Sequence, residues 1–266
     1  MKLQDRVCVV TGSGSGIGRA TALEMAQEGG KVVVSDVNDA NGESTVAAIR
    51  DTGGEATYVH ADMSSNDDIL ALMQAAVDTY GGLQVLHNNA GIHESDLTTD
   101  MTVESLPIEV WDRLMDINLK GVWLAARAAF PHMRDSGGGA IINAGSTASL
   151  AGYPNCPAYT AAKHAIVGLT KVMALDFRDA NIRANCYCPA SVDTAMVSKF
   201  WEAAEDPDLV KSFMVSTHLL PKRLGYPEEI AKLVCFLASD DASFITGAAY
   251  LIDGGSLAWR GFEALT

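Results

Sequence analysis

Basic residues are scarce in this sequence, whereas acidic residues are not. The 266 residues include 19 Lys and Arg against 33 Asp and Glu, which gives a formal net charge of −14 at pH 7. A chain with this charge repels nucleic acid and anionic lipid surfaces. We therefore expect no nucleic-acid partner, no acidic macromolecular substrate, and a small molecule as the ligand.

Long apolar runs and a leader segment are also missing. No apolar run reaches about 18 residues, the length that a membrane span requires. The polar residues 1–6 lead directly into a short apolar run, without the basic-then-apolar pattern of a signal segment. These absences predict a cytoplasmic protein with no membrane partner.

Cysteine is infrequent and irregularly spaced. The five cysteines form no C-x-x-C pair and no Cys/His spacing suited to zinc. Cys186 and Cys188 flank Tyr187 in a predicted strand, so the alternation of side chains puts both on one face. We expect reduced thiols that pack in the core, and no metal site.

The sequence does contain a regular alternation of short apolar runs with helical patterns. Strands that are apolar on both faces are typical of a parallel sheet covered by helices. We predict an α/β fold, a Rossmann-type doubly wound parallel seven-stranded sheet with helices on both faces, in a single domain over residues 1–266. The predicted strands are Val7–Val10, Lys31–Ser35, Ala56–His60, Val85–Asn88, Ala140–Asn143, Arg183–Cys188 and Ala248–Ile252.

The segment from about 194 to 220 departs from this alternation. It mixes large apolar side chains with the acidic stretch Glu202–Asp208, and no strand follows it until Ala248. We expect this segment to form a helical lid beside the site.

A glycine-rich turn, Thr11-Gly-Ser-Gly-Ser-Gly-Ile-Gly18, lies between the first predicted strand and a helix. Glycines also make plain tight turns, so the position in a strand–turn–helix unit carries the prediction. There the backbone amides and the positive end of the helix dipole favour a pyrophosphate. The turn predicts a dinucleotide site that includes Gly12, Ser15, Gly16, Ile17 and Gly18.

Asp36 ends the second predicted strand, 18 residues beyond Gly18. A carboxylate here accepts both hydroxyls of an adenosine ribose and repels a 2′-phosphate. Its neighbours Ser15 and Val37 offer no basic group for that phosphate. If Asp36 is not merely a solvated loop residue, the cofactor is NAD.

Tyr159 and Lys163 are four residues apart in a predicted helix that starts near Pro157, so they share one helix face. A neighbouring ammonium favours the phenolate and lowers the pKa of a tyrosine, although such a pair on a helix is often only a surface contact. Ser146 follows the fifth predicted strand at its carboxyl end, where ligands bind in open α/β sheets. Its hydroxyl could hold a substrate oxygen.

Over nearly its whole length the sequence resembles the short-chain dehydrogenase/reductase family. The matching features are the glycine-rich turn, Tyr-x-x-x-Lys, Asp62, Asn88-Asn-Ala-Gly91, Asn118, and Ser146 thirteen residues before Tyr159. The resemblance implies that Ser146 orients the carbonyl, that Tyr159 is the acid and base, that Lys163 binds ribose, and that Asn118 supports a water relay. It also implies cofactor contacts by Val37, Asp62, Met63, Asn89, Ala90, Gly91, Pro189, Val192 and Thr194, besides Tyr159 and Lys163.

Two positions depart from the family pattern. Ala190 follows Pro189 where glycine is usual, which would cost about 1 kcal/mol if the backbone there has positive φ. Gly145 precedes Ser146 where a hydroxyl residue is frequent, and its small size is expected to leave more room.

The sequence thus predicts an NAD-dependent oxidoreductase that interconverts a secondary alcohol and a ketone. The preference for NAD predicts that it oxidises the alcohol. The alternatives are a 3-ketoacyl carrier-protein reductase and a non-catalytic NAD-binding sensor.

His93 is the one histidine placed to touch substrate. The resemblance implies a homotetramer, to which the tail Trp259–Phe262 could contribute. We expect an uncharged, fairly apolar substrate, and cyclic alcohols are among the candidates. This expectation rests on the predicted pocket wall of Ala148, Leu150, Tyr153, Met196, Phe200, Trp201 and Phe213.

Overall fold

A parallel sheet of seven strands forms the centre of the computed structural model, which describes residues 1–202, 204–220 and 222–258. The strand order is β3-β2-β1-β4-β5-β6-β7, and every pair of neighbours is parallel. The strands are β1 (Val7–Thr11), β2 (Lys31–Asp36), β3 (Glu55–His60), β4 (Val85–Asn88), β5 (Gly139–Ala144), β6 (Ile182–Pro189) and β7 (Ala249–Ile252). The predicted Rossmann-type fold is confirmed, and each predicted strand is present to within one residue at either end.

Helices cover both faces of this sheet. α1 packs against α2 and α9 on one face, and α3 packs against α5 on the other. The helices are α1 (Gly16–Gln27), α2 (Asp39–Asp51), α3 (Asn66–Tyr80), α4 (Ile108–Met115), α5 (Gly121–Asp135), α6 (Pro157–Asp176), α7 (Ala195–Glu202), α8 (Pro207–Val215) and α9 (Pro227–Ala238).

The core explains why the strands are apolar on both faces. Val9 and Val33 point into one hydrophobic cluster, whereas Val10 and Val34 point into the cluster on the opposite face. Because side chains alternate along a strand, each of these strands needs apolar residues at consecutive positions.

The order of the strands reverses between β1 and β4. Loops from both strands leave the sheet at its carboxyl edge, where this reversal opens a crevice. The glycine-rich turn before α1 and the loop after β4 lie there, and α6 brings Tyr159 and Lys163 to the same edge. α6 begins at Pro157, as the sequence predicts.

The segment from 194 to 220 holds α7 and α8, which stand between β6 and α9 in the chain. Residue 203 within it and the tail Trp259–Phe262 lie outside the described residues. Among the described helices, none combines the length and the apolar character that crossing a membrane requires.

Candidate active site

A cavity of about 400 Å³ opens at the carboxyl edge of the sheet. Nearly all the residues predicted to bind a cofactor line it, together with three of the four predicted catalytic residues. These are Gly12, Ser15, Gly16, Ile17, Asp36, Val37, Asp62, Met63, Asn89, Ala90, Gly91, Ser146, Tyr159, Lys163, Pro189, Val192 and Thr194. Gly18 and Asn118 stand behind this lining.

The glycine-rich turn approaches the loop after β4 very closely. Gly12 and Gly16 have positive φ, of 61° and 52°, and a Cβ on Gly12 would lie 2.8 Å from Ala90 Cα. A Cβ on Gly18 would lie 2.1 Å from the carbonyl oxygen of Gly12. Gly18 therefore serves the packing of α1 on the turn, while Gly12 and Gly16 give a ligand access to the backbone.

Asp36 is held at the end of β2 by backbone amides. Its Oδ2 accepts a hydrogen bond from Gly14 N and its Oδ1 accepts one from Asn38 N, both at 2.9 Å. The cations that line the cavity are Arg113 and Lys163, and Arg113 is paired with Asp62 at 3.0 Å. The described residues that line the cavity thus include one carboxylate held in place, Asp36, and no cation beside it that is free to bind a 2′-phosphate.

Asn118 lies in a π-helical segment, residues 116–120, that joins α4 to α5. Its side chain is buried, and it accepts a hydrogen bond from Ile92 N at 2.9 Å and donates one to Ile92 O at 2.7 Å. Single π-helical turns recur at functional sites because they interrupt the regular helix. Here the turn lets Asn118 hold the backbone just after Gly91.

Ser146, Tyr159 and Lys163 meet at the end of β5. The Lys163 Nζ lies 5.4 Å from the centre of the Tyr159 ring and donates a hydrogen bond to Ala144 O at 2.7 Å. Ser146 begins a short 3₁₀ turn, in which its Oγ accepts a hydrogen bond from Ala148 N at 3.1 Å. These contacts bring Ser146, from the loop after β5, together with Tyr159 and Lys163, both from α6, around one point of the cavity.

Burial dominates the titration of the Tyr159 and Lys163 pair. It raises the pKa of Tyr159 to about 12, against the effect of the nearby Ser146 hydroxyl, and it lowers the pKa of Lys163 to about 8. The Tyr159 pKa thus lies above its ordinary value, and not below it as the neighbouring ammonium of Lys163 was expected to bring it, because loss of solvent costs the phenolate more.

Ala190 and Gly145 are accommodated in different ways. Among the described residues, the non-glycine positions with positive φ are Asp5, Asn155 and Asn181, so Ala190 carries no strain of that kind. A Cβ on Gly145 would lie 2.7 Å from Cys186 Sγ and 2.9 Å from Cys188 Sγ. The sequence suggested that Gly145 leaves free room, but these thiols fill the space.

The two thiols lie on the same face of β6, as predicted, with their sulfur atoms 4.0 Å apart. All five cysteines are buried and unpaired with one another as disulfides. The pair forms the packing behind Ser146, so these cysteines support the site from inside the sheet.

The predicted pocket wall is only partly assembled. Met196 lines the cavity, and the Phe200 ring contacts the His93 ring at 5.2 Å between centres. Leu150, Tyr153 and Phe213 are exposed, Phe213 by 77%. Ala148, Leu150, Tyr153, Phe200, Trp201 and Phe213 are not among the residues that line the cavity.

Sequence reasoning missed several residues at the cavity. Arg113, Ile117 and Tyr187 line it from α4, from the π-helical segment and from β6. No short motif marks them, because their placement depends on contacts between elements far apart in the chain. Glu94 was also missed, although a carboxylate directly after the loop of β4 could have drawn attention.

Comparisons with known proteins agree with this geometry. A family model described as "Enoyl-(Acyl carrier protein) reductase" matches residues 12–256. The cyclohexanol dehydrogenase of Acinetobacter sp. (strain SE19) is 42% identical over 253 residues, which are 95% of each chain. The 3-oxoacyl-[acyl-carrier-protein] reductase FabG of Thermotoga maritima is 35% identical, over 96% of this chain and 99% of its own length.

A solved structure, the crystal structure of levodione reductase, superposes with a TM-score of 0.91 at 35% identity, and the match covers 97% of this chain and 100% of that one. Fold and site together define a Rossmann-type oxidoreductase. The chain belongs to the short-chain dehydrogenase/reductase family, so its cofactor is a nicotinamide nucleotide.

Proposed function

We propose that this protein is an NAD-dependent dehydrogenase that interconverts a secondary alcohol and a ketone by hydride transfer. The observation that carries the proposal is the meeting of Ser146, Tyr159 and Lys163 in the cavity that the glycine-rich turn and Asp36 also line. Proton transfer and cofactor binding would then share one crevice.

The cavity suits a dinucleotide. Its glycine-rich turn presents backbone amides at the start of α1, and a Cβ on Gly16 would meet the Thr194 side chain at 3.2 Å. Ser15 to Ile17 would hold the pyrophosphate, Asp36 the adenosine ribose, and Lys163 the nicotinamide ribose. When bound, the oxidised nicotinamide supplies the hydride acceptor and a positive charge.

In the oxidative direction Tyr159 takes the proton of the substrate hydroxyl, and Ser146 holds the same oxygen in place. Because burial raises the pKa of Tyr159 to about 12, the phenol is protonated at neutral pH and is ready to act as the acid in ketone reduction. Oxidation needs the phenolate, which the Lys163 ammonium stabilises from 5.4 Å. Asn118 binds the backbone of Ile92 and thereby fixes the position of this part of the cavity wall.

The preference for NAD over NADP rests on Asp36. The carboxylate of Asp36 would repel a 2′-phosphate. Arg113, the arginine that lines the cavity, is already paired with Asp62. Since the cellular NAD pool is usually kept oxidised, oxidation of the alcohol is the proposed direction.

The proposed substrate is an uncharged, fairly apolar alcohol, cyclic ones included. Met196 and Val197 from α7 line the same cavity as Tyr159, and the described lining offers no unpaired arginine for a carboxylate or phosphate. The similarity to a cyclohexanol dehydrogenase supports a compact ring, and the similarity to levodione reductase supports a ketone as the oxidised compound. α7 and α8 would close over it as a lid.

A carrier-protein reductase is the second candidate, favoured by the similarity to FabG. The net charge of −14 opposes docking of an acidic carrier protein. A non-catalytic NAD-binding sensor would need neither Tyr159 nor Lys163, yet both lie in the cavity.

A homotetramer is the proposed assembly. An apolar cleft between α5 and α6 exposes Trp123 by 46%. Leu119 and Leu169 line the same cleft. A second copy of the chain could cover it.

The test follows the absorbance of the reduced cofactor, NADH from NAD and, in separate assays, NADPH from NADP, against a panel of secondary alcohols. We expect turnover of uncharged cyclic alcohols with NAD and its loss in Tyr159→Phe. Turnover confined to acidic or carrier-bound substrates would overturn the substrate proposal. NAD binding without turnover on the whole panel would favour the sensor.

A further inference from the structure

Glu94 is a fully buried carboxylate next to the candidate active site. It begins the short 3₁₀ turn Glu94–Asp96, in the loop that follows β4. Its exposed fraction is 0%. Its Oε1 accepts a hydrogen bond from the backbone N–H of Tyr159 at 2.8 Å. Its Oε2 makes no hydrogen bond to the described residues and lies 3.6 Å from His93 Nε2.

The contact supplies a cap that α6 otherwise lacks. The residue before the helix, Cys156, makes no side-chain capping bond, and Pro157 at the first helical position has no N–H. Tyr159 therefore carries one of the free N–H groups at the positive end of the helix dipole. Glu94 satisfies this donor from a loop 65 residues away in sequence.

The same loop also contacts α7. The His93 ring lies 5.1 Å from the Tyr159 ring and 5.2 Å from the Phe200 ring, measured between centres. Asp96 accepts hydrogen bonds from His93 N at 2.9 Å and from Lys199 Nζ at 2.5 Å. Glu94 is thus fixed between the start of α6 and the helix that borders the cavity.

We propose that Glu94 is a positioning residue for the alcohol–ketone reaction: its carboxylate binds the backbone N–H of Tyr159 and thereby holds the first turn of α6, and with it Tyr159, in place. The inference rests on the proposed function of Tyr159. A neutral acceptor would satisfy the N–H group as well, so the buried charge is the feature that needs a reason.

The charge acts on the proton of Tyr159. Burial raises the pKa of this phenol first, and the carboxylate of Glu94 raises it further. Glu94 therefore opposes Lys163, and the balance decides how much phenolate is present. The other titratable groups that face this pair are His93 and Asp96 on the loop, Cys156 before α6, and Tyr187 and Cys188 on β6.

The experiment compares Glu94→Gln and Glu94→Ala with Glu104→Gln, an exposed glutamate on the next loop. Glutamine keeps an oxygen for Tyr159 N–H but removes the charge. We expect the rising limb of kcat for alcohol oxidation against pH to move to lower pH by about half a unit or more in Glu94→Gln. For Glu94→Ala we expect kcat to fall about 10- to 100-fold, with KM for NAD within about threefold of native.

Melting curves of each variant show whether it is folded. If Glu94→Gln leaves the pH profile where the native enzyme has it, the proposal is wrong, whether or not Glu94→Ala folds. A folded Glu94→Ala with native kcat also overturns it. Tyr159→Phe is measured in parallel: if this variant stays active, the proposed function fails, whereas an inactive Tyr159→Phe with an unshifted Glu94→Gln overturns the role of Glu94 alone.

Discussion

The cofactor side and the substrate side of the cavity are built differently. The cofactor side, defined as the turn Gly12–Gly18 with Asp36, rests on buried strands and on α1, whose inner face is fully buried. The substrate side, defined as α7 and α8, has no fully buried side chain within these described helices. Under the proposed function, the chemistry common to many substrates would lie on buried elements, and recognition of one substrate would lie on helices that can change at little cost in stability.

The largest effect on the rate is expected from Lys163→Met, which tests whether the buried residues of α6 carry the reaction. The substitution removes the buried ammonium near Tyr159 and leaves Ala144 O without its donor. We expect kcat to fall about 10²- to 10⁴-fold, measured by NADH formation under saturating alcohol. Lys171→Met, an exposed change on the same helix, is the control, and a Lys163→Met rate within tenfold of that control would contradict the prediction.

Gly18→Ala should show how little freedom the cofactor side has. A Cβ there would lie 2.1 Å from Gly12 O, which is backbone and cannot swing away. We expect a loss of about 2 to 3 kcal/mol in the free energy of unfolding, with weaker NAD binding, measured by denaturant unfolding and by titration of the cofactor.

Gly168→Ala is the matched control, because a Cβ at this position in α6 meets no atom within 4 Å. There the loss of backbone entropy in the unfolded chain should stabilise the protein by up to about 1 kcal/mol. Equal effects of the two substitutions would remove the argument for close packing at the turn.

The contrast between the two sides also explains what could be predicted from the sequence. Strands, the glycine-rich turn and Tyr159 with Lys163 follow from local spacing, and the structure places these residues as expected around one cavity. The substrate side was read from apolar composition alone, and Phe213 proves to be 77% exposed. Composition says that a helix has an apolar side chain, but not which neighbour covers it.

Long-range contacts account for the remaining differences. The thiols of Cys186 and Cys188 occupy the space at Gly145 because β5 and β6 are neighbours, with Ala144 opposite Tyr187. The raised pKa of Tyr159 follows from burial, and its bond to Glu94 joins residues far apart in sequence. No spacing within a single segment carries this information.

Asp36→Ser would sharpen the comparison within the cofactor side, since it removes the carboxylate on which the proposed choice of cofactor rests. Loss of the carboxylate removes the charged acceptor for the ribose and the repulsion toward a 2′-phosphate. We expect kcat/KM for NAD to fall about 10-fold or more, while activity with NADP rises. Asp51→Ser, an exposed change at the end of α2, should alter neither, and an unchanged ratio of the two cofactors in Asp36→Ser would contradict the assignment of NAD.

The smallest effect is expected from Phe200→Ala on the substrate side. Phe200 touches the His93 ring at 5.2 Å and is 36% exposed, so its removal should cost little stability. We expect KM for the alcohol to rise about three- to tenfold, because the His93 ring, which packs against Tyr159, loses its contact with Phe200, while KM for NAD stays within about twofold. Phe244→Ala is the control, because that ring is fully exposed away from the cavity. If Phe200→Ala instead weakened NAD as much as the alcohol, the two sides would act as one unit, and the division between a rigid cofactor side and an adaptable substrate side would be wrong.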